Sequence, residues 1–85
     1  MDDDLGMKWR QVLDQMAARL PRAEYTTWFA SNALLLLDGD TAVIGTANIF
    51  VRQEVEQRYS TLLADTLSTT YGRPIGVEVV IGTVL

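Results

Sequence analysis

From Trp9 onward the apolar residues Val12, Leu13, Met16, Ala17 and Leu20 keep the i, i+3, i+4, i+7, i+8, i+11 spacing of a single helix face. Asp4 is placed to cap this helix, while Pro21 ends it and suits the first position of the next. The second helix, about Arg22 to Ala30, carries Tyr25, Trp28 and Phe29 at i, i+3, i+4. A junction this tight implies a helical hairpin or corner, with Trp9 and Trp28 as bulky candidates for its core. Glu24 lies on the second helix but off its aromatic side.

Ser31 and Asn32 break the helical pattern, and the run Ala33 to Leu37 is too short for another helix. The following Asp38 Gly39 Asp40 decides its reading as a strand, because Asp-Gly between two apolar runs tolerates the positive φ of a tight hairpin turn. The second strand is Thr41 to about Thr46. Near the chain's end Val77, Val79 and Ile81 alternate with Gly76, Glu78 and Val80, the pattern of a half-buried third strand.

Between these strands Asn48 is placed to cap a helical region that runs to Tyr71, with a candidate division near Ser60 and Thr61. Val51, Val55, Tyr59, Leu62 and Leu63 define its buried face. Phe50 does not belong to that face. At roughly 100° per residue it projects about 160° from the middle of the stripe, so it either lids the helix end or meets solvent. Arg52 with Glu56 and Glu54 with Arg58 are i, i+4 pairs on the solvent side. Tyr71 Gly72 Arg73 Pro74 has the glycine and following proline of a helix stop.

Eighty-five residues with 48% apolar content make one small domain, and the longest unbroken apolar run is far too short to cross a bilayer. With neither cysteine nor histidine, disulfides, thiolate metal sites and the common nucleophile arrangements are excluded. Three adjacent aspartates on a terminus lack the fixed cage of a cation site, and turn chemistry explains Asp38 and Asp40, so no metal, cofactor or catalytic residue is expected. The acidic start points to a cytoplasmic protein. Net charge is −4, but Asp2, Asp3 and Asp4 are three of the eleven acids, leaving eight against seven basic residues. A body so nearly neutral has no electrostatic footprint for tight nucleic-acid binding.

Taken together, Trp9 and Leu13, Leu20 Pro21 with Glu24 and Trp28, Asp40 Thr41, Ala47 Asn48 with Phe50 Val51, Tyr59, Gly72 and Gly82 resemble the N-terminal domain of the bacterial replication initiator DnaA. Their order and spacing from Lys8 to Gly82 carry the likeness. It implies an α/β, KH-like small domain, in the order helix, helix, strand, strand, one or two helices, strand, with a three-stranded sheet. Residues 1–7 then form a flexible acidic N-terminus, 8–82 the domain, and 83–85 the start of a linker or the chain end.

The resemblance also implies a non-catalytic docking module that recruits the replicative helicase, binds initiation regulators and self-associates weakly at the origin. Glu24 and Phe50 match the family's acidic and aromatic helicase contacts, and Trp9 matches an aromatic associated with self-association. The residues by themselves place Trp9 in the core, at the head of the first stripe. Lys8 stands where some members carry an apolar side chain, and a charge at the rim of such a patch weakens a homotypic contact. Two other readings stay open. One is a KH-like domain that binds single-stranded nucleic acid weakly, although no Gly-x-x-Gly clamp occurs and Arg52, Arg58 and Arg73 are interleaved with acids. The other is a free-standing adaptor that uses the same docking face.

Overall fold

The computed structural model describes residues 4–82. Helix α1 spans Asp4–Arg19 and α2 spans Arg22–Trp28, followed by strands β1, Ala33–Asp38, and β2, Thr41–Thr46. Helix α3, Ile49–Glu54, runs through a π turn at Val55–Tyr59 into α4, Ser60–Tyr71, and β3, Gly76–Ile81, closes the order. The expected α/β order and three-stranded sheet are therefore both present. Residues 4–7, expected within a flexible N-terminus, form the first turn of α1, whereas residues 1–3 lie outside the described residues.

The sheet order is β1-β2-β3, with β1 antiparallel and β3 parallel to the central β2. A parallel neighbour requires a crossover, and the α3, π-turn and α4 run supplies it. The two-residue hairpin turn sets Gly39 at a φ of 60°, a conformation that glycine adopts without steric cost. The hairpin tip is tied to the loop before β3, where the Gly76 amide donates to Asp40 O at 2.7 Å and Arg73 pairs with the Asp40 carboxylate.

The helices cover one face of the sheet. Leu34, Ala42, Ile44 and Val79 point into that layer and meet Trp9, Val12 and Met16 of α1, with Leu63 and Leu67 of α4. The leucines of β1 do not alternate cleanly because the strand bulges between Leu34 and Leu36. The displaced Leu35 lies over Gly45, where an added Cβ would stand 2.8 Å from Leu35 Cδ1 and 2.5 Å from the Gly82 carbonyl oxygen. Gly45 is thus a strand residue under a close approach and not part of a turn.

Three further expectations change in detail. The fully buried aromatic of the helical corner is Phe29, while Trp28 is only half buried, because α2 ends at Trp28 and the chain turns Phe29 inward. Ala17, about 80° around the helix from Trp9, is exposed at the margin of its stripe. Pro21 occupies the N-cap of α2 with ψ 147°, one position ahead of the first helical residue.

Candidate functional site

The site is built on the helical run after β2. Asn48 starts it, with Oδ1 accepting the Val51 amide at 3.0 Å, as the sequence implies. From Val51 the buried apolar residues recur at a strict interval of four, Val51, Val55, Tyr59, Leu63 and Leu67, with the buried Thr66 beside the last of them. In a regular α-helix each step of four overshoots a turn by about 40°, so five such residues would wind off the sheet. The wide turn at Val55–Tyr59 unwinds the helix and keeps them in line. The division expected near Ser60 therefore lies one residue earlier and is a change of winding, with no side-chain cap at Tyr59.

One residue ahead of each buried position runs a second row, Phe50, Glu54 and Arg58. Phe50 is 74% exposed at its start. Arg58 Nη1 donates to Glu54 Oε2 at 2.6 Å, and its guanidinium lies 5.5 Å from the centroid of the Tyr59 ring. The Glu54 hydrogen bond and the neighbouring Tyr59 raise the Arg58 pKa, so the charge is held.

Tyr59 joins this row to α2. Its ring packs edge-on against Phe29, with centroids 5.2 Å apart and planes at 80°, and its Oη donates to Glu24 Oε1 at 2.6 Å. Burial pushes the phenol pKa up, and the hydrogen bond to Glu24 adds to the shift. Glu24 is half-exposed and forms no other hydrogen bond among the described residues. The structure thus links Glu24 to Tyr59 by a hydrogen bond and Tyr59 to Arg58 and Glu54 by ring contact and ion pair, while Phe50 stands exposed one turn before Glu54 on the same row. Sequence reasoning left Tyr59 in the core and the Glu54/Arg58 pair on a solvent face. The signal for both was the strict spacing of four, which sets one straight row beside the other.

Trp9 is 7% exposed, and its indole Nε1 donates to the Asn32 carbonyl at 3.1 Å, which gives it a packing role. Lys8 beside it turns back onto α4, its Nζ 3.4 Å from Thr70 O and 5.3 Å from the Tyr71 ring centroid.

A family model described as "DnaA N-terminal domain" matches residues 7–69. The chain belongs to this family. It is 36% identical over 80 residues to the chromosomal replication initiator protein DnaA of Roseiflexus castenholzii, a match covering 94% of this chain and 17% of that protein. The same-named proteins of Thermomicrobium roseum and Herpetosiphon aurantiacus are each 31% identical, over 82% and 92% of this chain and 15% and 16% of their own lengths. The chain thus spans about a sixth of the length of these relatives. Trp9, Glu24, Phe50 and Tyr59 all lie within the matched part of this DnaA N-terminal domain, and β3 lies beyond it.

The three arginines that a nucleic-acid reading of the domain would need are each paired with an acid: Arg52 with Glu56 at 3.6 Å, Arg58 with Glu54, and Arg73 with Asp40. Among the described residues no helix is long and apolar enough to cross a membrane.

Proposed function

We propose that this DnaA N-terminal domain is a non-catalytic docking module that recruits the replicative helicase to the origin, receives initiation regulators and associates weakly with other copies of itself. The observation that carries this reading is the exposed Phe50 at the start of α3. An aromatic with three quarters of its surface in water contributes little to the core, yet it offers a partner a large apolar contact. The carboxylates of Glu54, one turn on, and of Glu24, at Tyr59, add charge recognition. Membership of the DnaA family supports the setting in replication initiation. In self-association the buried Trp9 acts by holding α1 in place, beside the exposed Met7.

The test is an NMR titration of the labelled 85-residue chain with the host's replicative helicase, run beside one with single-stranded DNA. Helicase-induced shifts centred on Glu24, Phe50 and Arg58, and lost in Phe50→Ala at an unchanged unfolding midpoint, are the expected result. A spectrum that the helicase leaves unchanged while DNA moves residues around Arg52, Arg58 or Arg73 would replace this reading with nucleic-acid binding.

A further inference from the structure

Most of Tyr59 is explained by packing: its ring lies against Phe29, and only 5% of the residue is exposed. Its hydroxyl is not. A phenylalanine would fill the same space, whereas the phenol Oη donates a 2.6 Å hydrogen bond to a carboxylate on another helix. A hydrogen bond to an ionised acceptor is both stronger and more directional than a neutral one. It also fixes a side chain that would otherwise sample several rotamers on a helix only seven residues long. The regular spacing of α3 would carry position 59 away from α2, and the π turn brings it back under Glu24.

We propose that Tyr59 is the positioning residue of the docking face: its hydroxyl holds one Glu24 oxygen and leaves the other for a lysine or arginine of the partner. This rests on the docking role of Glu24 proposed above. Arg58 lies over the Tyr59 ring and is bound to Glu54, so it does not occupy the Glu24 carboxylate. Its charge is paired with Glu54, so Glu24, Glu54 and Arg58 together keep one net negative charge for an incoming cation. The matching surface on the partner is a basic side chain beside an apolar hollow that admits the Phe50 ring.

A double-mutant cycle tests this with the 85-residue chain and the host's intact replicative helicase as probe. Tyr59→Phe in the native background should weaken binding about tenfold, in line with the loss of a charge-assisted hydrogen bond. In a Glu24→Ala background, with no carboxylate to position, the same change should alter binding less than twofold. Equal weakening in both backgrounds, accompanied by a lowered unfolding midpoint, would show that the hydroxyl acts on the fold alone and overturn the proposal. If Glu24→Ala weakens binding and Tyr59→Phe does not, the positioning role fails while the docking role of Glu24 stands. No effect of Glu24→Ala removes the docking role, and this inference with it.

Discussion

At the scale of single residues the domain separates two phenylalanines by what surrounds them. Phe29 is fully buried at the end of α2 and stacked edge-on with Tyr59, whereas Phe50 stands three quarters exposed at the start of α3. The sequence marks Phe50 as unusual because it falls opposite a well-formed stripe. It does not distinguish Phe29 from Trp28, which sits one residue earlier on a helix whose end it cannot locate to the residue. Burial decides the energetics. Phe29→Ala removes a ring from a closed core and should cost about 3–5 kcal/mol, comparable to the whole stability of a small domain. Phe50→Ala should cost less than about 0.5 kcal/mol, as for most surface changes. Thermal or urea unfolding of the two variants checks the contrast, and matching midpoints would place Phe50 in the core.

At the scale of elements, strong periodicities were legible and local departures from them were not. Helix α1, the hairpin and the helical run after Asn48 all follow from spacing and turn residues. The parallel pairing of β3, the bulge in β1 and the π turn follow from contacts between distant segments. Each nevertheless left a trace: five leucine-rich positions without alternation for the bulge, and a strict interval of four for the π turn. Gly45 belongs to the same group, since its need for a missing side chain arises from Leu35 and Gly82, ten and thirty-seven positions away in the sequence. Gly45→Ala forces its new methyl onto the Gly82 carbonyl at a separation of 2.5 Å, and backbone cannot yield as a side-chain tip can. A loss of roughly 1–3 kcal/mol is expected, as for other overpacked sites. It should appear as a lower urea midpoint with an unchanged slope. A neutral substitution would mean that β1 and the end of β3 separate freely.

At the scale of the whole molecule, the proposed docking face is small. It consists of one exposed ring, the carboxylates of Glu24 and Glu54, and an arginine already paired, along the α3 run and the side of α2 that Tyr59 reaches. Stable protein complexes bury on the order of 800 Å² per partner around a desolvated centre, and a face with so few anchors falls at the weak end of that range. Weak single contacts suit an assembly in which many copies meet a multimeric partner, because linked sites raise the apparent affinity through effective concentration without adding any new contact. The prediction is therefore a difference between one copy and two. A single 85-residue chain should bind the helicase proposed as its partner weakly and dissociate fast. Two copies joined by a flexible linker long enough to span neighbouring subunits should bind at least about a hundredfold more tightly, with the gain residing in slower dissociation. Surface-plasmon measurements on both forms, with Phe50→Ala in one or both copies, resolve the matter. If one copy binds as tightly as two, the face is sufficient alone and the contact is larger than the few residues named. If Phe50→Ala in a single copy of the pair returns the affinity to that of the lone chain, both copies dock through the same face and the strength of the assembly comes from their number.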